Sequence, residues 1–155
     1  MLFDFASAKY IGIVCAGEDE TGTAHLKDFL HFLSQKGIKY LVLGYFPAKK
    51  IPDNFLYWKG IEFITQSDLN LFLIPQSPIA EKFIDEQFDM LINCSVADHF
   101  PVEYIAQLSR AKCKVGIMRG EDSCYDLTID IKKQKNVEYF MENLKIYLSN
   151  IRNSI

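Results

Sequence analysis

Several features that would indicate a membrane or secreted protein are missing from this 155-residue sequence. Its apolar runs all fall short of the roughly 20 residues that a membrane-spanning helix needs. Its four cysteines, Cys15, Cys94, Cys113 and Cys124, form no C-x-x-C pair, and such usage suits a reducing cytosol better than a disulfide framework. The first residues carry an early acid and no basic stretch, so we expect no secretion signal. These absences predict a cytoplasmic protein that makes no membrane contact.

Clustered positive charge is also lacking, since the formal net charge is −3. A nucleic-acid surface needs grouped Lys and Arg side chains that displace counterions. The one basic run of note covers residues 132–135, just before the last predicted helix, and we interpret it as a solvated loop. We therefore expect no nucleic-acid partner.

Apolar material, in contrast, is sufficient for one core. Hydrophobic residues make up 49% of the chain, with 12 Phe and 8 Tyr among them. The length fits a single domain, and we find no repeat or linker-like change in composition. The sequence predicts one α/β domain over residues 1–155.

Short apolar, β-branched runs alternate with helical patterns along this chain. We predict strands at residues 10–15, 38–46, 61–65, 88–94, 114–118 and 126–131, with an edge segment or turn at 69–74. Helix starts are predicted at Thr21 or Thr23, Ser77-Pro78, Pro101 and Asn136, and Gly37 is predicted to end the first helix. Strand–helix–strand units build parallel sheets. The order therefore predicts a three-layer, Rossmann-like, doubly wound α/β fold with a mainly parallel sheet.

Candidate ligand positions follow from that fold class. In an open α/β sheet, ligands lie beyond the carboxyl ends of the strands, near a switch in strand order. This rule selects residues 16–23, 93–99 and 119–126. The candidate ligand-binding residues within them are Gly17, Glu18, Asp19, Thr21, Thr23, Asn93, Ser95, Asp98, His99 and Arg119.

The first of these segments lies where a dinucleotide-binding fold holds its phosphates. It contains neither G-x-G-x-x-G nor the Gly-Lys-Ser/Thr of a P-loop. Its three consecutive carboxylates, residues 18–20, would favour the positive end of the helix themselves and would repel a phosphate. We therefore expect no NAD or ATP bound in the ordinary mode, and no cofactor is indicated.

The second segment raises the question of a catalytic thiol. A Cys near a His can form an activated thiolate, and Cys94 and His99 lie five residues apart across a predicted strand-to-helix turn. The alternative, which we favour, is that Cys94 ends a buried strand while Asp98 or His99 caps the next helix. Asp19 and His99 remain the candidates for a catalytic role.

The third segment and two histidines of the first predicted helix contain groups that could bind an ion. Arg119 could hold an anion, and the carboxylates of Glu121, Asp122 and Asp126 could hold a divalent cation. Their spacing matches no defined metal loop, so we interpret the segment as a solvated turn. His25 and His31 fall on different faces of the first helix, and we predict no metal site.

Three stretches resemble a known group of proteins. They are Phe88-Asp-Met-Leu-Ile-Asn93, Leu108-Ser-Arg-Ala-Lys-Cys-Lys-Val-Gly116 and Tyr125-Asp-Leu127 with Ile129-Asp-Ile131. In these motifs the chain resembles a family of small bacterial proteins that form a domain of unknown function. The resemblance implies a fold and no activity.

A second likeness concerns the motifs aromatic-Asp-apolar-apolar-Ile and Ala-Lys-x-x-x-Gly. They are similar to the N-terminal half of heptosyltransferase-type glycosyltransferases, in which a Gly-Asp after the first strand carries a catalytic acid. The corresponding place here reads Gly17-Glu18-Asp19, so the likeness implies Asp19. Those enzymes bind the sugar nucleotide mainly with a second α/β domain, for which this chain has no room. The likeness therefore implies a half-enzyme that pairs with another chain or has lost its activity.

Two functions remain open. The first, which we favour, is a domain that binds a small ligand or a protein partner without catalysis, a homodimer being one option. The alternative is an enzyme that acts on a sugar nucleotide.

Overall fold

The computed structural model describes residues 4–17, 20–53, 60–120 and 123–150, and these form an α/β fold. In chain order the elements are β1 (Tyr10–Ala16), α1 (Glu20–Gln35), β2 (Lys39–Phe46), β3 (Ile61–Thr65), a 3₁₀ turn (Gln66–Asp68), α2 (Pro78–Asp85), β4 (Met90–Asn93), α3 (Phe100–Leu108), β5 (Cys113–Ile117), β6 (Leu127–Ile129) and α4 (Val137–Asn150). Strands and helices alternate largely as the sequence predicts.

The six strands form one sheet in the order β3-β2-β1-β4-β5-β6. All five neighbouring pairs are parallel. The chain builds outward from β1 to β3, then returns through α2 to place β4 on the other side of β1. The switch in strand order therefore lies between β1 and β4. The predicted doubly wound, Rossmann-like fold is confirmed, and the sheet is parallel throughout.

Helices cover both faces of the sheet and bury two apolar cores. On one face α1 packs against α4, and on the other α2 packs against α3. Because side chains alternate along a strand, Ile11 and Ile13 of β1 face the first core, whereas Val14 faces the second. The three-layer arrangement follows from this alternation.

Most of the predicted helix ends are confirmed. The Ser77 hydroxyl accepts a hydrogen bond from the Ile79 N–H at the start of α2. The Asn136 side chain accepts one from the Tyr139 N–H at the start of α4. Gly37 follows α1 with φ of 72°, the left-handed conformation that favours glycine. The predicted cap of α1 was wrong, because that helix already begins at Glu20 and Thr21 and Thr23 lie within it.

Other predictions concern the cysteines, the basic run and membrane contact. Cys15, Cys94 and Cys113 are buried, as expected for strand cysteines in apolar runs. Residues 132–135 are exposed, which agrees with a solvated loop. Within the described residues, no helix has both the length and the apolar character to cross a bilayer.

Glycines in the strands make room for aromatic rings that lie on the sheet. A Cβ on Gly12 of β1 would lie 2.5 Å from the Phe88 ring, and one on Gly44 of β2 would lie 2.7 Å from the Phe63 ring. Phe88 is fully buried and also contacts the rings of Tyr10 and Phe83. The Phe88 ring therefore cannot move aside for a larger residue at position 12.

Gly12→Ala should destabilise the fold by about 1–3 kcal/mol, because an added methyl group overpacks a closed core. The measurement is chemical denaturation of the variant and the wild type. Gly120→Ala is the matched control, since a Cβ there meets nothing within 4 Å among the described residues. Equal unfolding free energies for the two variants would contradict the packing described here.

The Asp89 carboxylate, just before β4, ties the start of that strand to the start of β1. It accepts hydrogen bonds from the N–H groups of Lys9 and Tyr10 at 2.8 and 3.0 Å, and Lys112 Nζ lies 3.6 Å away. Burial alone would raise the pKa of Asp89, but these hydrogen bonds and the Lys112 charge outweigh it, so the net pKa is lowered.

Asp89→Asn should reduce stability at neutral pH by about 1.5 kcal/mol, because it removes a charge that two hydrogen bonds and an ammonium group favour. The folded-state pKa is below the unfolded one, so this contribution is present above the unfolded pKa. It is lost as the pH falls through the folded pKa. Denaturation as a function of pH should show the two proteins converging in acid. A constant difference down to the lowest accessible pH would contradict this assignment.

Candidate functional site

A cleft of about 540 Å³ opens beyond the carboxyl ends of β4 and β5, between α3 and the segment that leads into β6, and we call it the β4–β6 cleft. Its walls come from the turn after β4, from α3 and from the segment between β5 and β6. The lining residues are Asp98, Glu103, Gln107, Ile117, Arg119, Gly120, Ser123, Cys124 and Tyr125. The cleft therefore lies on the sheet edge that the strand-end rule selects, beside the switch point.

A three-residue hydrogen-bond network forms one wall of this cleft. Asn93, 2% exposed at the end of β4, donates from Nδ2 to Glu103 Oε1 at 3.1 Å and to the Tyr125 hydroxyl at 2.7 Å. The Tyr125 hydroxyl in turn donates to Glu103 Oε2 at 2.9 Å. The Asn93 side-chain oxygen, Oδ1, accepts a hydrogen bond from the Ser95 N–H at 3.0 Å. The network joins β4, α3 and the segment before β6.

Tyr125 reaches this network because β5 has a glycine beneath it. A Cβ on Gly116 would lie 2.7 Å from the Tyr125 ring, so only glycine allows the ring to lie against the strand. Burial raises the pKa of Tyr125 far above its usual range; the hydrogen bond from Asn93 opposes this in part, and the charge and hydrogen bond of Glu103 add to it. The phenol therefore remains neutral and keeps the proton that it donates to Glu103.

Arg119, just after β5, is hydrogen-bonded to the turn that follows β4. Its guanidinium donates to the carbonyl oxygens of Val96 at 2.7 Å, of Ala97 at 3.4 Å and of Ser95. Its Nε lies 3.7 Å from Glu103 Oε1. The predicted anion-binding role is therefore weakened, because the guanidinium is already engaged with backbone oxygens and with a carboxylate.

The end of β1 is hydrogen-bonded to the turn after β4 and to β2. The Ala16 N–H donates to the Ser95 hydroxyl at 2.8 Å, and the Gly17 N–H donates to the Tyr45 carbonyl at 2.7 Å. Thr23 is half-buried in the first turns of α1. The structure thus brings the predicted segments together at one edge. Glu18 and Asp19, the predicted catalytic acid included, lie outside the described residues, as does the side chain of Thr21.

The structure separates the two groups of the suggested thiol–imidazole pair. Cys94 is buried in the core beneath α1 and α4, where its thiol lies 3.8 Å from the Val14 carbonyl oxygen. The His99 ring contacts the Tyr45 ring edge-on at 5.8 Å, and Tyr45 belongs to the core on the other face. The two residues therefore lie on opposite sides of the sheet. His99 occupies the N-cap position of α3, but its side chain forms no capping hydrogen bond.

Metal binding has little support among the described residues. They contain no group of three or more His, Cys, Asp and Glu side chains that could hold an ion. His25 instead lies 3.7 Å from Glu138, and His31 contacts Gln35 at 3.1 Å. The Asp126 carboxylate accepts a hydrogen bond from the Lys114 N–H at 2.8 Å, while Glu121 and Asp122, interpreted from the sequence as part of a solvated turn, lie outside the described residues.

Sequence reasoning missed two residues that shape the cleft, Glu103 and Tyr125. Glu103 carried an available signal, because it lies in the first turn of a helix that begins at the selected edge. Tyr125 lies within the selected segment 119–126, but nothing local in the sequence indicated its role, because its contact with Asn93 spans 32 positions. The ligand-binding role of the ten predicted residues stays a prediction.

Arg119→Ala should loosen the turn after β4, because it removes the donors to three consecutive carbonyl groups. We expect faster amide hydrogen exchange at residues 96–100 and a loss of about 1–2 kcal/mol in unfolding free energy. Arg110→Ala is the matched control, since that side chain is 66% exposed and pairs with Asp85 at the surface. Unchanged exchange in the turn would contradict the role given to Arg119.

Comparison with solved structures finds a similar fold in the crystal structure of an exopolyphosphatase-related protein from Bacteroides fragilis. The match has a TM-score of 0.58 and 16% identity, and it covers 93% of this chain and 41% of that chain. This chain thus spans less than half the length of that protein, and the likeness concerns the fold alone. The comparison supports this fold likeness and not the likeness to heptosyltransferases.

Comparison with curated proteins finds no match. The model of a family of unknown function, DUF6913, matches residues 3–151. That match covers nearly the whole chain and agrees with the resemblance of the strand-end motifs to a domain of unknown function. The chain therefore belongs to DUF6913, a family of unknown function.

Proposed function

We propose that this protein binds a small polar ligand in the β4–β6 cleft, through a cationic or hydrogen-bond-donating group, and does not transform it. The observation that carries the proposal is the Glu103 carboxylate, held by Asn93 and Tyr125 in the wall of a cleft at the strand ends. Ligand sites of doubly wound folds lie at this edge. The volume of about 540 Å³ falls within the usual range of small-molecule sites.

Contacts between distant parts of the chain hold the described walls of the cleft together. Arg119 joins the segment after β5 to the turn after β4, and Tyr125 joins the segment before β6 to α3. Each of these contacts links parts of the chain more than 20 positions apart. A site built this way loses little conformational entropy on binding, which favours affinity for a small molecule.

The charge of the cleft favours a cation over a phosphate. Among the described residues, two carboxylates, Asp98 and Glu103, line it together with one guanidinium, that of Arg119. Arg119 keeps its positive charge but directs its donors to backbone oxygens and lies 3.7 Å from Glu103, and these three charges sum to −1, so the described lining is net acidic. A nucleotide or a polyphosphate would meet repulsion there. A polyphosphate and a sugar nucleotide are therefore both disfavoured as ligands of this cleft.

The groups in the cleft are poorly suited to catalysis. Burial raises the pKa of the Cys124 thiol, and Glu103 and Asp126 add to this effect against an opposing contribution from Lys114. The thiol is thus kept protonated, whereas a nucleophile needs the thiolate. Tyr125 stays protonated as well, so it is not a base. Binding alone is the simpler role for this set of groups.

Thermal unfolding of the full chain with a panel of probes tests the proposal. The panel contains spermidine, choline and arginine as cations, adenosine as a neutral donor, and ATP, UDP-glucose and inorganic polyphosphate as anions. A probe at about 100 times its dissociation constant should stabilise the fold by about 2.7 kcal/mol, which corresponds to roughly 5–10 °C for a domain of this size. We expect such a shift from a cationic or neutral probe and none from the anions.

Two variants locate the binding. Glu103→Gln and Asp98→Asn should each lower the apparent affinity for the stabilising probe at least about tenfold, because each variant removes a carboxylate charge that binds the probe. Glu142→Gln, an exposed carboxylate on α4, is the matched control and should leave it unchanged. Stabilisation by the anions alone, or an effect that both cleft variants retain, would overturn the proposal.

A further inference from the structure

A tight turn before α2 presents three consecutive apolar side chains to solvent. Leu71, Phe72 and Leu73 are 98%, 77% and 53% exposed. Single exposed apolar residues are ordinary, but large ones grouped together mark interaction surfaces. We call these three residues the apolar tip. It belongs to a different part of the molecule from the β4–β6 cleft and shares no lining residue with it.

The tip is held in place by local hydrogen bonds. The Asn70 side-chain oxygen accepts from the N–H of Phe72 at 2.8 Å and from that of Ile74 at 3.1 Å. Leu69 and Pro75 form an antiparallel bridge that closes the turn. Leu73 adopts φ of 63°, a left-handed conformation that is unfavourable for a bulky side chain. The exposure of the tip is therefore fixed by the fold and is maintained against backbone strain.

Two lysines lie beside the tip. The segment that carries them is attached to the 3₁₀ turn, because the Ala48 carbonyl accepts from the Gln66 N–H at 2.9 Å and the Lys49 carbonyl from the Ser67 hydroxyl at 3.0 Å. Lys49 lines a shared groove with Leu69, Asn70 and Leu73, and Lys50 follows it, exposed.

Two carboxylates, Asp53 and Asp68, equal these lysines in number. The Asp68 carboxylate accepts from the Thr65 N–H at 2.8 Å and caps the 3₁₀ turn. Asp53, three residues beyond Lys50, is exposed. Neither carboxylate lines the groove beside the tip, and Lys49 is the one charged residue in the described lining of that groove, so the groove itself is basic.

The size and charge of this surface indicate its occupant. A stable protein interface buries about 800 Å² on each partner, more than three side chains on one tight turn present. Two copies meeting through the tip would also bring like charges together. An interfacial contact with a bilayer, in contrast, requires a short apolar insertion and basic residues that attract anionic headgroups.

From this combination we propose that the apolar tip inserts into the surface of an anionic lipid bilayer, with Lys49 and Lys50 against the headgroups. The acidic remainder of the chain would be repelled by the same surface, which orients the molecule with the tip toward the lipid. A peripheral contact of this kind departs from the sequence-based expectation of no membrane contact, which rests on the lack of a membrane-spanning segment.

Co-sedimentation of the full chain with vesicles at low salt tests this inference. One set of vesicles contains phosphatidylcholine alone, and the other contains phosphatidylcholine with phosphatidylglycerol. We expect binding to the anionic vesicles that weakens with added salt. Phe72→Ser should lower the partition coefficient at least about tenfold, because a large apolar side chain no longer inserts. Lys49→Glu combined with Lys50→Glu should lower it by a similar factor through lost headgroup attraction.

Tyr147→Ser is the matched control, because Tyr147 is 52% exposed on α4, away from the tip, and its replacement should leave binding unchanged. Thermal unfolding checks that each variant is folded. The proposal is overturned if the wild type does not sediment with anionic vesicles, or if Phe72→Ser binds as the wild type does. The proposal is also overturned if the wild type does not bind vesicles and light scattering shows a dimer that Phe72→Ser converts to a monomer. That result would assign the tip to contact with a second copy of the chain.

Discussion

The side-chain amide of Asn93 is the interaction on which the candidate site depends. Buried at the end of β4, it donates to Glu103 of α3 and to Tyr125 before β6, and it accepts from the Ser95 N–H. Such an amide has no spare donor, so its three partners are held in one relative position. Loss of one partner would leave a buried polar group unsatisfied, which costs more than the hydrogen bond itself contributes.

That network determines the chemical character of the candidate site. Arg119, which from the sequence suggests an anion site, serves as a structural clamp on the turn after β4. The Glu103 carboxylate accepts hydrogen bonds from a neutral phenol and an amide and lies 3.7 Å from Arg119 Nε, so contacts within the protein orient it and balance part of its charge. The chemical character of the cleft is therefore set by contacts within the protein more than by the residue types that line it.

The fold could be predicted from local patterns, whereas the site could be predicted only in part. Buried β-branched runs and caps such as Ser77 placed the strands and helices to within a few residues, because burial and capping act locally. The strand-end rule placed Asn93, Ser95 and Arg119 at the correct edge. It could not supply strand order or the role of Tyr125, because those depend on contacts between residues far apart in the sequence.

The most direct test of this account is a double-mutant cycle between Glu103 and Tyr125, measured as unfolding free energy by chemical denaturation. Glu103→Ala, Tyr125→Phe and the double variant remove the partners of one hydrogen bond singly and together. The account predicts a coupling free energy of about 1 kcal/mol, as found for residues in one hydrogen-bond network. Effects that add to within about 0.3 kcal/mol, as for independent sites, would contradict the claim that the network forms the wall of the cleft.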